Sequence, residues 1–551
     1  MNDKAKSAKK AELNDSVKKR RIAETYVKIV QQKNMFPSRA DLAKVGIVRD
    51  TVRHYFVNLT GLRNYAKELF PEAFEGIIRE EDHTSAEARA NLARDVQKYK
   101  TFIITTAVNG QWLHPKFMEG LEFLAEKYKA KILVLPSHDP AHNLDNEIEW
   151  HFDDLLKDHS FVFDSLVLNS NIRISSLRIN AKQINPTTGL GRICQGRGSF
   201  IFASPKQSLE YDPVSSVKYP HARMSTGACT VGDYSSSLGN SQRTAYIAYH
   251  DHVVGALIVE IEDDKIYHFR QIQADKKGGF CDLGKYYLGR SKPETMIPKL
   301  VMGDYHAGEH DESAIKAWEE VIDALGVDEV FFHDLFNGKS INHHEEHNIV
   351  LRARNSAKGL LSLENELLVT GQQIDRIMNH KSVKKGIIVK SNHDEFLQRW
   401  VEQGKFKYDP LNFKAGCVLA TMAVEYDSNI LEKGLDYWGK VKNTDKLLFL
   451  DRDQDYKISG IECGAHGDKG PNGSRGSKAG MENAYGRAVI GHSHTPGILR
   501  GIYQVGTSSL FDLGYNQGAS SWMHCSCLVY PNGMRQLINS INGKWRLGRA
   551  A

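Results

Sequence analysis

The chain has 551 residues, of which 41% are hydrophobic and 25% are charged, and its formal net charge is +5. This length excludes a single hydrophobic core and predicts two to four domains. The near-neutral charge does not mark a nucleic-acid binder, although a local basic surface remains compatible with it. The seven scattered cysteines exclude a disulfide framework or a zinc ribbon. With neither a signal peptide nor a stretch of ~18 apolar residues, the sequence predicts a cytoplasmic protein with no membrane segment.

Residues 1–80 are predicted to form a helical domain. In VKKRRIAETYVKIVQQKN, one helical face carries Ile22, Tyr26, Ile29 and Val30. The following segment predicts a short helix, a glycine turn and a second helix. This order resembles a helix-turn-helix module.

The second of these helices, from about Val48 to Phe56, is predicted to expose a charged face. Arg49 and Arg53 on that face are candidate DNA-binding residues. The alternative is a three-helix packing or docking unit whose charged face is only solvated. The spacing alone does not separate the two interpretations.

Residues 81–295 are predicted to form an α/β domain. TFIITTAV and KILVLP predict strands on either side of the helix PKFMEGLEFLAEKY, and a later hairpin turns near Glu262. No phosphate-binding glycine motif is present. The segment GLGRICQGRGS is glycine-rich and basic, and it could approach a phosphate backbone or form a mobile surface loop. We see no internal repeat, and the sequence assigns no role to this domain.

The chemistry is concentrated in residues 296–551, which are predicted to be α/β. Five apolar segments each end in side chains that bind divalent metals. Strands of an α/β sheet end along one edge, so these side chains can converge on one crevice. In chain order they are Asp304 and His306, then Asp334, then Asn392 with His393 and Asp394, then His466, then His492 and His494.

The pattern predicts a metal site of mixed ligands. Side chains at i and i+2 of an extended segment point to the same side, so Asp304 and His306 can bind one ion together. Carboxylate and imidazole ligands suit Mn²⁺, Fe²⁺ or Zn²⁺, with Mg²⁺ as a further alternative. One ion rarely takes seven protein ligands, so we expect two ions that share a carboxylate.

The series D-x-H, D-x-x-N, N-H-D, H and G-H-x-H, in this order, resembles the calcineurin-like metallophosphoesterase superfamily and its SbcD-like nuclease branch. The resemblance covers residues 296–551 and implies a β-sandwich flanked by helices. Two positions depart from the family pattern, because His333 and Ser391 stand where a glycine is usual. Neither is expected to be a ligand, so the departure concerns loop geometry.

The resemblance also implies residue roles. Asp334 bridges the two metals, and a water between them attacks phosphorus. His393 protonates the leaving oxygen and Asp394 orients its imidazole. The implied ligands are Asp304, His306, Asp334 and His494 for the first metal, and Asp334, Asn392, His466 and His492 for the second.

The second and third motifs lack the arginines of protein phosphatases, which favours a diester in a polymer. Candidate DNA contacts are Lys469, Arg475 and Lys478 in HGDKGPNGSRGSKAG, although this segment could equally be a solvated loop.

Over its whole length the chain resembles the pre-early DNases with which large siphophages degrade host DNA. Length, domain order and the segments GHSHTPG and VYPNGMRQLINSINGKWR carry this resemblance. It implies a DNase in the host cytoplasm, with DNA as partner and a homo-oligomeric state, a dimer or higher. Two alternatives stay open: a phosphoesterase acting on a nucleotide, cyclic nucleotide or phosphoprotein, and a DNA-binding takeover or scaffold protein with a vestigial metal site.

Overall fold

The N-terminal unit consists of helices, as predicted. Its buried side chains, including Tyr26, Val30, Val52 and Phe56, form a core of their own. A turn at Gly46, with φ of 80°, separates the second helix from the third. The helices are α1 (Asn2–Lys33), α2 (Arg39–Lys44), α3 (Arg49–Phe56) and α4 (Leu59–Leu69). In the computed structural model the described residues are 2–33, 37, 39–56, 59–74, 77–78, 80–138, 150–215, 219–234, 241–425, 429–452 and 454–547.

The remaining helices surround a set of β-sheets. None of the helices in the described ranges is long and apolar enough to cross a membrane. They are α5 (Glu80–Thr84), α6 (Ala86–Val96), α7 (Pro115–Tyr128), α8 (Gly191–Cys194), α9 (Ser241–His250), α10 (Glu312–Leu325), α11 (Ile349–Ala357), α12 (Leu363–Met378), α13 (Asp394–Glu402), α14 (Phe413–Glu425), α15 (Ile430–Gly434) and α16 (Lys478–Tyr485).

The strands fall into two sets, which we name the first repeat (residues 101–273) and the second repeat (residues 299–539). The first repeat contains β1 (Thr101–Val108), β2 (Lys131–Ser137), β3 (Ser160–Phe161), β4 (Leu166–Asn169), β5 (Ile172–Ile174), β6 (Ser199–Phe202), β7 (Ser208–Asp212), β8 (His221–Ser225), β9 (Gly255–Ile261) and β10 (Tyr267–Gln273). The second contains β11 (Lys299–Val301), β12 (Glu329–Phe332), β13 (Lys385–Ile388), β14 (Leu447–Phe449), β15 (Lys457–Ile458), β16 (Ile461–Glu462), β17 (Ala488–Ile490), β18 (Gly497–Leu499), β19 (Ile502–Gln504), β20 (Cys525–Val529) and β21 (Arg535–Asn539).

Three large sheets are built from these strands. The first repeat forms a five-stranded sheet of order β10-β9-β1-β2-β3, and the second a six-stranded sheet of order β14-β13-β12-β11-β20-β21. Both repeats share a ten-stranded sheet of order β15-β16-β17-β19-β18-β7-β8-β6-β5-β4. Smaller sheets pair Ile77–Ile78 with Trp150–His151, pair Val214–Ser215 with Ala519–Ser520, and join Phe280–Asp282, Lys285–Tyr287 and Glu294–Thr295.

The two repeats have the same topology. The first strand of each, β1 or β11, pairs in parallel with the second and antiparallel with a returning hairpin. In the shared sheet the order outward from the centre is β7-β8-β6-β5-β4 on one side and β18-β19-β17-β16-β15 on the other, with matching strand directions. The central strands β7 and β18 pair antiparallel, so the repeats are related by an approximate twofold.

Isolated bridges confirm this equivalence. Thr106 bridges Ala228, and Asp304 bridges Thr507, each in parallel. Thr106 of the first repeat therefore stands where the second repeat has Asp304. Pro205 stands where the second repeat has His494, because the backbone oxygen of each accepts a hydrogen bond from the residue two before the start of β9 or β20, Val253 or Met523.

The ten-stranded sheet packs against both smaller sheets. One buried cluster includes Leu257 of the five-stranded sheet, Leu209 and Val489 of the ten-stranded sheet and Val301 of the six-stranded sheet. On the outer faces, α7 covers the first repeat and helices α10, α12 and α13 cover the second. The helices therefore cover the faces of the sheets and not the strand ends of the second repeat, and these ends can form a site.

The fold differs from the prediction in two respects. The ten-stranded sheet crosses residue 295, so the predicted boundary there does not coincide with a break between sheets. The repeated topology was also not predicted. Positions such as Thr106 and Pro205 carry other side chains than Asp304 and His494, so the sequence shows no repeated motif.

Candidate metal centre

The predicted ligands come together at one edge of the second repeat. Strands β11, β12 and β13 run parallel, so the residues that follow them meet at their shared carboxyl ends. The ten-stranded sheet supplies the facing side of the site through the residues after β16 and β17. The side chains brought together are Asp304, His306, Asp334, Asn392, His466, His492 and His494.

These side chains form three overlapping groups that could hold a metal. In each group, one ligand atom per residue lies within 4.8 Å of the others. Asp334 belongs to two of the groups, as a carboxylate shared by two ions would. The groups are Asp304 with His333 and His466, His306 with Asp334 and His494, and Asp334 with His466 and His492.

The distances show convergence around the two carboxylates. Oδ2 of Asp334 lies 3.3 Å from Nε2 of His466 and 3.8 Å from Nε2 of His306. Oδ2 of Asp304 lies 3.3 Å from Nε2 of His494. The Nε2 atoms of His306 and His494 are 3.1 Å apart, so two imidazoles aim at one point.

Several of these atoms are buried and lack hydrogen-bond partners within the described structure. They include both carboxylate oxygens of Asp304, Oδ1 of Asp334, Nε2 of His466 and Nδ1 of His494. Unpaired buried carboxylates and imidazoles are costly unless a cation neutralises them. The residues present therefore fit divalent metal ions.

The backbone at the ligands is strained. His306, Asp334, His492 and His494 have φ of 50°, 42°, 75° and 58°, in the left-handed region that non-glycine residues rarely occupy. Such strain persists where surrounding structure imposes it, and it clusters at functional sites. The motif glycine Gly491 is required, because a Cβ there would lie 2.3 Å from Oδ1 of Asp304.

Two amides orient the histidines. Oδ1 of Asn337 lies 3.0 Å from Nδ1 of His306, and the Asn337 side chain donates a hydrogen bond to Glu309. Oδ1 of Asn392 lies 3.1 Å from Nδ1 of His492. Partners of this kind fix the tautomer and the ring direction of a metal-binding imidazole.

Burial and mutual charge shift the pKa values of the ligands. Burial and then the charge of Asp334 raise the pKa of Asp304 to about 8. Burial opposes ionisation of Asp334, but the nearby histidines outweigh it and hold its pKa well below the ordinary value. Burial would lower the pKa of His466, yet the adjacent Asp334 raises it to about 9. The pocket thus concentrates negative charge at Asp334.

His393 lies beside the ligands, but Asp394 is not its orienting partner. Nδ1 of His393 lies 2.7 Å from the backbone oxygen of Asn337, and its ring centroid is 4.7 Å from that of His306. Asp394 instead accepts a hydrogen bond from the backbone N–H of Ser391 at the start of α13. The chain turns into the helix directly after His393, which directs Asp394 back to Ser391.

The predicted DNA contacts differ in their surroundings. Lys469 forms a 2.7 Å ion pair with Glu395, and Lys478 is partly buried, which lowers its pKa. Arg475 is exposed. In α3, Arg53 is exposed, whereas the side chain of Arg49 lies outside the described residues. Lys469 and Lys478 are thus less available to a phosphate than the sequence suggested.

Sequence reasoning missed three neighbours of the centre. His333 was expected to affect only loop geometry, yet it is fully buried with Nδ1 3.1 Å from Nδ1 of His466. The ring of Trp522 lies 4.1 Å from that of His494, and the exposed Tyr515 lies 5.9 Å from Trp522. The sequence did mark His333, because it stands before Asp334 where the family pattern has a glycine. No sequence feature marked Trp522 and Tyr515.

Comparison with known proteins shows a relative among phage proteins. Protein A1 of Escherichia phage T5 is 30% identical over 479 residues, which cover 82% of this chain and 84% of that protein. No family model matches the chain, and no solved structure matches it.

Proposed function

The chain belongs to the family of protein A1 of Escherichia phage T5, and on this premise we propose that it is a two-metal-dependent DNase of the metallophosphoesterase type. The observation that carries the proposal is the position of Asp334, which belongs to two adjacent ligand groups. A carboxylate shared in this way suits two ions and the hydrolysis of a phosphoester between them.

We divide the ligands in the order of the motifs. Asp304, His306 and His494 would hold one ion, and Asn392, His466 and His492 the other, with Asp334 shared. Asp304 also lies in a group with His333 and His466. Nitrogen and oxygen ligands of this kind suit Mn²⁺, Fe²⁺ or Zn²⁺, and we favour Mn²⁺ among them. When bound, the ions supply a water of lowered pKa and neutralise the charge of the phosphodiester oxygens.

The protein's own residues orient the ligands and deliver a proton. The side-chain oxygen of Asn337 accepts a hydrogen bond from Nδ1–H of His306 and thereby turns its Nε2 towards Asp334. The backbone oxygen of Asn337 accepts a hydrogen bond from Nδ1–H of His393, so the Nε2 atom of His393 is the one that can protonate the leaving oxygen. Asn337 thus aligns a ligand and the general acid together.

DNA is the substrate we favour. The relative is a phage protein, and the site motifs lack the arginines that clamp a phosphate dianion. The N-terminal unit, with the exposed Arg53 on α3, offers a further contact to duplex DNA. We place the activity in the cytoplasm of the infected cell, where it would degrade host DNA.

The proposal is tested with purified protein and Mn²⁺ on linear duplex DNA, circular DNA and a small chromogenic diester. We expect cleavage of DNA and slower cleavage of the small diester, and no cleavage in excess chelator. Hydrolysis of nucleotides or phosphopeptides without DNA cleavage would favour the other phosphoesterase. DNA binding without any hydrolysis would favour a vestigial site.

A further inference from the structure

A basic cleft lies in the first repeat, which lacks the metal ligands. Its volume is about 580 Å³. Its basic lining residues are Arg173, Arg197, His221 and Lys265, and Met523 of the second repeat closes one side. No carboxylate lines it among the residues that the structure describes.

The cleft opens on the same edge of the molecule as the metal centre. In the shared sheet Leu209 pairs antiparallel with Ile498, so the end of β7 lies beside the start of β18, just after His494. The start of β8 pairs with the end of β7, and β8, β6 and β5 are parallel. The starts of these three strands, which border the cleft, therefore lie on the edge that carries His494.

A direct contact joins the two places. The backbone N–H of Met523, which lines the cleft, donates a hydrogen bond to the backbone oxygen of His494. The preceding residue, Trp522, packs its ring against that of His494. Two consecutive residues, Trp522 and Met523, therefore contact the metal centre and line the cleft, respectively.

The two arginines and the lysine of the cleft are available to a ligand. Arg173, Arg197 and Lys265 form no salt bridge with any carboxylate in the described part of the chain. Nε of Arg173 is buried without a hydrogen-bond partner, and its guanidinium lies 5.6 Å from the centre of the Phe200 ring. A buried unpaired guanidinium nitrogen is costly and calls for an anionic oxygen.

The backbone on either side of Arg197 allows a phosphate backbone to approach closely. Gly196 and Gly198 have φ of 73° and 89°. A Cβ at Gly198 would lie 2.6 Å from the backbone oxygen of Asn171, whereas a Cβ at Gly196 would meet open space. The tight turn thus presents Arg197 on a loop that a phosphate backbone can reach.

We propose that this cleft binds backbone phosphates of the DNA strand whose scissile phosphodiester lies at the metal centre. This rests on the proposed DNase function. The metal centre can neutralise one phosphodiester, whereas a polymer carries a charge at every residue and gains affinity from further phosphate contacts. The first repeat, without metal ligands, would then position the substrate for the second.

The test compares Arg173→Ala/Arg197→Ala with Arg192→Ala. Arg192 is an exposed arginine of the same segment that does not line the cleft. Fluorescence anisotropy with a labelled oligonucleotide in chelator, titrated with salt, reads binding without cleavage. We expect the double variant to bind more weakly and to lose roughly one to two units of the slope of log K against log salt, since each phosphate contact contributes about 0.7–0.9. The control should match the native protein.

Further arms separate the outcomes. If the double variant does not fold, Arg197→Glu, at an exposed position, should give the same loss of affinity. Unchanged affinity and slope in both variants would overturn the proposal. Binding of dAMP as tight as that of the oligonucleotide would also overturn it, because the cleft would then be a mononucleotide site. Failure of the native protein to cleave DNA would count against the DNase function and is read in a separate assay.

Discussion

At the scale of residues, the side chains of the centre satisfy each other's hydrogen-bonding capacity only partly. Asp304 and Asp334 are buried with unpartnered oxygens, and four ligands hold a left-handed backbone. Neither feature favours stability in the absence of a bound cation. The unpartnered oxygens and the left-handed backbone of the centre are therefore explained by the binding of a cation and not by packing.

His393 is predicted to act on the substrate without binding metal. His393→Ala should retain metal content and DNA affinity but lose turnover by ~10²–10⁴-fold, the usual contribution of a general acid. Single-turnover cleavage together with elemental analysis measures both. The exposed His344→Ala is the matched control and should behave as the native protein. Loss of metal from His393→Ala would make His393 a ligand.

Metal affinity should depend on pH through Asp304 and His466. Their pKa values are raised to about 8 and about 9, and each must be deprotonated to bind a cation. Protons therefore compete with the metal at neutral pH, and Mn²⁺ affinity should rise from about pH 6 to about pH 9 with release of protons. Isothermal titration in buffers of different ionisation enthalpy measures this. Affinity that falls with rising pH would contradict the assignment.

The residues of the centre were largely predictable, because each ligand directly follows an apolar strand. Seven candidate ligands were predicted from motif order. Six of them fall in the groups that could hold a metal, and the seventh, Asn392, lies beside His492. The partner of His393 was not predictable, since the backbone oxygen of Asn337 has no sequence signature. Trp522 and Tyr515 lie on a loop whose path only the tertiary structure fixes.

At the scale of elements, substitutions in α3 test whether the N-terminal unit binds DNA. Arg49→Ala/Arg53→Ala should weaken duplex binding and reduce the salt slope by about one for each lost phosphate contact. Hydrolysis of a small diester should be unaffected, because the metal centre lies in the second repeat. Salt-titrated binding with light scattering decides the matter. An unchanged slope together with a changed mass would indicate a docking unit instead.

At the scale of the whole molecule, one chain contains two copies of one topology joined through β7 and β18. Individual strands were predictable from apolar runs, and α7 has the bounds that the periodicity indicated. The repeat was not predictable, because the equivalent positions Thr106 and Pro205 share no chemistry with Asp304 and His494. Topology is retained through buried apolar positions, which many sequences can satisfy.

In the proposed function the two repeats have different roles. The second repeat holds the metal centre, and the first adds a basic cleft on the same edge. We still predict a homo-oligomer, a dimer or higher, and light scattering would measure its mass. A monomeric mass would contradict this prediction.

The measurement that tests the central claim most directly is the number of metal ions per chain in Asp334→Ala. Elemental analysis after Mn²⁺ loading should find two ions in the native protein and in Asp455→Ala, whose carboxylate lies at the surface. Asp334→Ala should hold neither ion, because the shared ligand is gone, while circular dichroism shows the fold intact. Two ions per chain in Asp334→Ala would contradict a bridged two-metal centre.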